Sequence, residues 1–371
     1  MTAPRPRATF GTAAIDQVLT DLLATTGKDA NDDLIRSLLV TALDMDDADV
    51  DRRELKIASQ ALVEILHSWK VFAPYENRAK VTVFGSARTK PEEPDYKLAV
   101  DFGRAMSDRD WMTITGAGPG IMTAGIEGAG IENAIGVSIV LPFEENAAEI
   151  IAGDPKLATF RYFFTRKLAF MKETDAFALF PGGFGTMDEA FELLTLIQTG
   201  KSNPAPVVLL DHEGSNYWAG WRSFVENELL DTGMISPDDM KLFLHTHDPQ
   251  EAADYIRRFY STYHSIRFVG NRLIIRLTNE LGDDAIATLN KEFSDIIESG
   301  EIEPTTATKA EVRDSDVPEL PRLSMRFDKH AWARLVEMIG RINDLGDRSA
   351  RVTSWPPREL GPQEHAVIDE A

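Results

Sequence analysis

Three times in this chain a short apolar run ends in a glycine-bearing turn and gives way to a helical pattern, and this repetition restricts the fold more than any other feature. Val81-Thr82-Val83-Phe84 runs into Gly85-Ser86-Ala87-Arg88, and Trp111 to Thr115 runs into Gly116-Ala117-Gly118-Pro119-Gly120. Ala176 to Phe180 runs into Pro181-Gly182-Gly183-Phe184-Gly185-Thr186. Further strand-like runs lie at Ile135 to Leu141 and Pro206 to Leu210, and Phe243 to His247 suits a final edge strand. Strands alternating with helices of this length predict a parallel, doubly wound sheet of the Rossmann-like α/β class. All three glycine loops then fall at the carboxyl ends of strands, the edge where such sheets bind ligands.

The third loop carries the most chemistry. Gly182, Gly183 and Gly185 are expected to permit left-handed or tight backbone and a close approach to bare amides. Those amides and the positive end of the following helix form a seat for an anion, most often a phosphate. Thr186 is placed to cap that helix or to donate to the same anion. Apolar residues at Met187, Ala190, Phe191, Leu194 and Ile197 give the helix one buried stripe, and Glu189 lies beside it, facing the loop mouth. The dipole there favours an ionised carboxylate, so Glu189 reads as a charge and not as a proton donor. First-turn acids such as Asp188 and Glu189 are common on dipole grounds alone; the three glycines before them distinguish this pair. The Gly116 to Gly120 loop resembles a dinucleotide fingerprint, but Pro119 interrupts it and no acid ends the next strand.

Around this core the pattern changes. Residues 1–78 read as a helical module behind a short Pro- and Arg-rich start, 79–263 as the nucleotide-binding domain, 264–348 as a small α+β module, and 349–371 as a disordered tail. Within the third region Gly270-Asn271 predicts a hairpin between Ile266 to Val269 and Leu273 to Leu277. A helix is expected from Asp283 to Ile297, a long loop from Glu298 to Pro321, and then a second strand and helix at Leu323 to Phe327 and Lys329 to Ile342. Nothing in that module looks catalytic. The acidic stretch Asp44 to Asp51 lacks the glycine and terminal glutamate of a calcium loop and reads as a solvated helix boundary. His245 and His247 share one face of an edge strand, but the sequence offers no third ligand beside them, so no metal is expected. The net charge of -21, from 60 acidic against 39 basic side chains, opposes binding to nucleic acid. No run reaches the length of a membrane span, and the absence of cysteine suits a reducing cytoplasm.

Several motifs in order resemble those of the LOG ("Lonely Guy") family of nucleoside 5'-monophosphate phosphoribohydrolases, in its longer bacterial form, a family long labelled lysine decarboxylases. They are Phe84-Gly85-Ser86-Ala87-Arg88, Ile114-Thr115-Gly116 with Gly118-Pro119-Gly120-Ile121-Met122, Phe163-Phe164-Thr165-Arg166-Lys167, Gly182-Gly183-Phe184-Gly185-Thr186 with Glu189, and Thr195 to Lys201. The resemblance covers about residues 80–248. It implies hydrolysis of a nucleotide's N-glycosidic bond to free base and ribose 5-phosphate, with no cofactor and with at least a homodimer as the working assembly. It places the catalytic pair on Arg166 and Glu189. It places phosphate and nucleotide contacts on Gly85, Ser86, Arg88, Gly116, Gly118, Gly120, Met122, Lys167, Pro181, Gly182, Gly183, Gly185 and Thr186. Plant-like members carry Met-His-Glu before the Arg-Lys pair, where this chain has Phe164-Thr165, and many longer members carry Glu in place of Thr123. Both positions are candidates for the base pocket, so the preferred base stays open between AMP, GMP and a cytokinin nucleotide. A sensor or carrier that binds without hydrolysing is the main alternative. Decarboxylation with pyridoxal phosphate lacks a cofactor motif around Lys167.

Overall fold

The computed structural model describes residues 6–27, 31–141, 148–314 and 316–346; the tail 349–371 and the first five residues lie outside the described residues. The chain divides into two compact units, Met1–Glu64 and Ile65–Ala371. The first holds α1 (Ala13–Thr26), α2 (Asp32–Asp47) and the start of α3 (Arg52–Phe72). Arg36 joins α2 to α1, its guanidinium 3.0 Å from both the backbone oxygen and the carboxylate of Asp16. The acidic stretch forms the α2/α3 boundary as expected: α2 runs through Asp47, and Asp51 Oδ1 accepts from Arg53 N at 2.8 Å at the start of α3.

The second unit is built on alternating strands and helices. These are β1 (Lys80–Phe84), α4 (Pro94–Ser107), β2 (Met112–Thr115), α5 (Ile121–Ala129), β3 (Ala134–Ile139), β4 (Leu157–Phe160) and α6 (Phe163–Glu173). They continue as β5 (Ala176–Leu179), α7 (Phe184–Gln198), β6 (Val207–Leu210), α8 (Tyr217–Phe224), β7 (Phe243–Thr246) and α9 (Pro249–Phe259). The seven strands run in the order β4-β3-β2-β1-β5-β6-β7, and every neighbouring pair is parallel. Helices cover both faces of such a sheet, so the central strands β1, β2, β5 and β6 are buried along their whole length. The strand order reverses between β1 and β5. There the two outgoing loops diverge and leave a crevice. Ser86 N donates to Pro181 O at 3.0 Å and ties the two loops together at its base.

The edge strand β4 was not expected from the sequence. It has four residues, with Thr159 exposed between buried Ala158 and Phe160, so its pattern is too short to stand out.

The remaining chain forms β8 (Tyr263–Val269), β9 (Arg272–Leu277), α10 (Asp283–Glu292), β10 (Ile297–Thr305), α11 (Lys309–Arg313), β11 (Arg322–Phe327) and α12 (Trp332–Leu345). Its four strands make an antiparallel sheet in the order β10-β11-β9-β8. Gly270 takes φ 61 in the expected hairpin turn. The expected long loop from Glu298 to Pro321 is corrected: it contains most of β10 and all of α11. β10 lies at the sheet edge with Ile302 as its one fully buried residue, and its pairing with β11 shifts register. An edge strand that hides so little apolar surface reads as a polar loop. α11 is closed by a capping box in which Thr308 and Glu311 satisfy each other's backbone N–H.

Candidate active site

A cavity of about 910 Å³ opens at the carboxyl edge of the seven-stranded sheet, over the β1/β5 crevice. Gly85, Ser86 and Arg88 line it from the loop after β1, Gly116 and Gly118 from the loop after β2, and Met122 from the first turn of α5. Gly182, Gly183, Gly185, Thr186 and Glu189 line it from the loop after β5 and from α7, and Arg166 from α6. Residues far apart in sequence thus meet because parallel topology puts every strand-to-helix turn on one edge.

Three expected contacts lie elsewhere. Gly120 does not line the cavity; it has φ 69, and a Cβ there would strike the backbone of Ser86 and Ala87. Its role is to let Ile121 N reach Ser86 O at 3.0 Å. Pro181 lies behind the loop and holds Ser86 through its carbonyl. Lys167 points from α6 to α7, where Asp188 lies at 2.9 Å, Glu189 at 3.9 Å and Glu192 closer still. An ammonium held by three carboxylates is not available to a phosphate.

The glycine loop works differently from the expectation. Gly182, Gly183 and Gly185 are not in the left-handed region; Gly183, for example, is extended at φ -92. Gly182 is required by packing, since a Cβ there would collide with the Thr186 hydroxyl and stand 3.1 Å from Ser86 N. Nothing lies within 4 Å of a Cβ built on Gly183 or Gly185, so there the missing side chains leave bare backbone facing open space. Gly183 is the N-cap of α7, which makes Phe184, Gly185 and Thr186 the first-turn residues whose N–H groups have no intrahelical acceptor. Thr186 is therefore not the cap; it is buried at the third helical position.

Arg166 is anchored before any ligand arrives. Its Nε donates to Val137 O at 2.9 Å, and its guanidinium lies 5.1 Å from the centre of the Phe170 ring. Phe170 in turn packs edge-on against Phe84 of β1 at 4.9 Å. Burial pushes the guanidinium down to about 10, partly offset by Glu189, and it remains a cation at neutral pH.

Glu189 corrects the view of an ionised carboxylate. Its side chain is only 8% exposed, and its Oε2 has no hydrogen-bond partner among the described residues. Burial, opposed by Lys167 and Arg166 and reinforced by Glu192 and Asp188, raises it to about 7. Desolvation outweighs the helix dipole, which falls off within the first turn. The group can both accept and return a proton near neutral pH.

Other lining residues had no chemical signal in the sequence. The end of β3 and the two residues after it, Ser138 to Leu141, together with Thr159, Phe163 and Phe184, border the cavity. Only the rule that all strand ends share one edge could have found Ser138 and Thr159. Phe184 is 97% exposed beside the two open glycines. Of the positions that depart from the family pattern, neither Thr123 nor Thr165 lines the cavity: Thr123 donates to Gly118 O at 3.0 Å, and Thr165 is buried and donates to Tyr162 O.

The comparisons agree with this core. Residues 119–256 match the family described as "Possible lysine decarboxylase". A cytokinin riboside 5'-monophosphate phosphoribohydrolase of Mycobacterium tuberculosis is 30% identical over 153 residues, which are 39% of this chain and 76% of that protein. An Arabidopsis thaliana protein of the same name is 34% identical over 97 residues, 25% of this chain and 44% of its own, so the match spans less than half of that relative. Among solved structures, a molybdenum cofactor carrier protein from Chlamydomonas reinhardtii aligns over 49% of this chain and 98% of its own, at 16% identity and a TM-score of 0.33. The similarity to the mycobacterial protein, taken over three quarters of its length, shows that the chain belongs to the LOG family, whose named relatives are cytokinin riboside 5'-monophosphate phosphoribohydrolases.

Proposed function

We propose that this chain is a cytoplasmic nucleotide N-ribosidase that hydrolyses a nucleoside 5'-monophosphate to free base and ribose 5-phosphate. The observation that carries this is the pairing of an anchored Arg166 with a desolvated Glu189 at the mouth of an amide-lined glycine loop. The first-turn amides of α7 hold the 5'-phosphate, and binding energy from that handle positions the ribose. Loss of the base leaves positive charge on C1' and the ring oxygen, and an ionised Glu189 stabilises it. Water attacks C1' as the C1'–N bond breaks with its electron pair going to the base. Glu189 takes the water's proton, and a group held near pH 7 can release it again to the departing nitrogen. Arg166 keeps Glu189 ionised when substrate is bound and orients the ribose hydroxyls.

The helical module 1–78 and the α+β module 264–348 are accessory to this core in our reading, and a homodimer is its working form. Exposed Phe184 and Phe163 beside the cavity suit cover by a second copy.

The experiment is to incubate the purified chain and Glu189→Gln with a panel of nucleoside monophosphates and their nucleosides and to follow free base by chromatography. Base release from monophosphates only, lost in the variant while nucleotide binding persists, is expected. Binding without release in the parent chain would instead identify a nucleotide sensor or carrier. Lys167 is engaged by three carboxylates, so the protein as purified should show no internal-aldimine absorbance.

A further inference from the structure

The pair His245 and His247, which lacked a third ligand in the sequence, gains one in the fold. β6 and β7 are parallel neighbours, with Leu210 paired to Thr246. Asp211, the residue after β6, is thereby set between the two histidines that flank Thr246. Its Oδ1 lies 2.9 Å from His245 Nε2 and 3.0 Å from His247 Nδ1. Its backbone oxygen is 2.8 Å from the same His247 nitrogen. Four donors therefore converge: one carboxylate oxygen, one carbonyl oxygen and two imidazole nitrogens. None of these three residues lines the nucleotide cavity.

The charge balance points to a cation. The Asp211 side chain is fully buried, and its basic neighbours among the described residues are the two imidazoles, with no Lys or Arg in ion-pair contact. A buried carboxylate without a positive partner is unfavourable. Donor atoms around a tetrahedral zinc ion stand ~3.3 Å apart, given Zn–N and Zn–O bonds of about 2.0 Å; the Asp211–imidazole spacings of 2.9 and 3.0 Å need only small adjustments, and all three ligand atoms lie within 4.8 Å of one another. Two imidazoles with one carboxylate suit a borderline transition metal and not magnesium or calcium, which prefer all-oxygen sites. The two histidines are partly exposed, at 21% and 42% of their side chains, which leaves an entry path.

We propose that Asp211, His245 and His247 form a binding site for a divalent transition-metal ion of the zinc type at the β6/β7 edge. The site would brace the glycine loop. Trp218 N donates to Asp211 Oδ2 at 3.3 Å, and the adjacent Tyr217 hydroxyl donates to Gly182 O at 2.6 Å. Metal binding at Asp211 would thus fix the start of α8 and, through Tyr217, the backbone that carries the anion seat.

The test is calorimetric titration of the chelator-dialysed full chain with zinc chloride, beside His247→Ala and the double variant His245→Ala/His247→Ala. One equivalent should bind, the single variant should weaken binding by more than about tenfold, and the double variant should abolish it. Cobalt chloride should give the visible absorption of a low-symmetry, four- or five-coordinate ion in the parent chain only. Melting temperature should rise with zinc in the parent and not in the double variant. Identical titrations of parent and double variant, or magnesium binding as tightly as zinc, would overturn the proposal. These readouts do not depend on nucleotide hydrolysis.

Discussion

Two buried glutamates, each facing arginine, behave in opposite ways in this molecule. In the C-terminal module Glu311 is fully buried, and its Oε1 accepts from Arg276 at 3.0 Å and Arg322 at 3.1 Å. Its Oε2 accepts from the Thr308 N–H at 3.0 Å and the Thr308 hydroxyl at 2.9 Å. Burial opposes its ionisation, but Thr308 and the two arginines outweigh it and hold the carboxyl below its usual range. In the cavity over the β1/β5 crevice Glu189 has comparable burial, an unbonded Oε2 and a carboxyl raised to about 7. Arginine nearby is common to both; hydrogen bonds are what differ. A carboxylate with every lone pair satisfied is part of the scaffold. Being left short of hydrogen bonds and pushed up in pKa marks Glu189 as a candidate for chemistry.

The contrast can be broken most directly at Glu311. Glu311→Ala removes the carboxylate that Arg276 and Arg322 share, leaving Arg276 with Asp316 and Arg322 with backbone carbonyls, and denaturant unfolding should show a loss of about 3 kcal/mol. A loss below about 1 kcal/mol would mean that the network is not a structural keystone.

Glu189→Gln should do the reverse. A folded-state value raised from 4.5 to about 7 means that the native state binds this proton more tightly than the unfolded chain. The associated stability is complete below about pH 4.5 and is lost as pH rises through about 7. The glutamine variant loses nothing over that window. At pH 8 it should be more stable than the parent by up to roughly 3 kcal/mol, falling to near zero at pH 4.5. Equal pH–stability curves would remove the raised value. In activity, kcat/KM of the parent should climb with pH through about 7 if the ionised form is required in the free enzyme; a fall over the same range would make Glu189 a proton donor.

Arg166→Lys tests whether the cation must be anchored as well as present. Lysine cannot donate to Val137 O and reach the substrate with a planar fork, so kcat/KM should fall about 10- to 100-fold with little change in melting temperature. The smallest effect is expected at Tyr217→Phe. Loss of one hydrogen bond to Gly182 O should raise KM by roughly fivefold, about 1 kcal/mol, and leave kcat nearly unchanged.

The glycine loops, their place at strand ends and Glu189 were legible because strand-loop-helix units are local patterns a few residues long, whereas Arg166 was singled out by the resemblance of its motif to the LOG family. The strand β4 and most of β10 were not, since edge strands with one wet face bury too few side chains to set a period. Gly120 and Gly182 look alike in sequence, yet one serves backbone conformation and the other close packing against Thr186. Lys167 stood next to Arg166 in the motif, but adjacent residues on a helix point about 100° apart, and it faces α7 instead of the cavity.

By itself, the sequence determined the alternation of elements, hence the parallel sheet, the shared edge of the loops and the family. The first three follow from periodicity and turn chemistry within short windows; the family follows from the resemblance of several motifs in order. Only the tertiary structure decided charge states and partners. It withdrew Glu189 from water, gave Glu311 its two arginines and brought Asp211 to His245 and His247. Solvation and pairing depend on which distant residues pack around a group, and no local pattern records that.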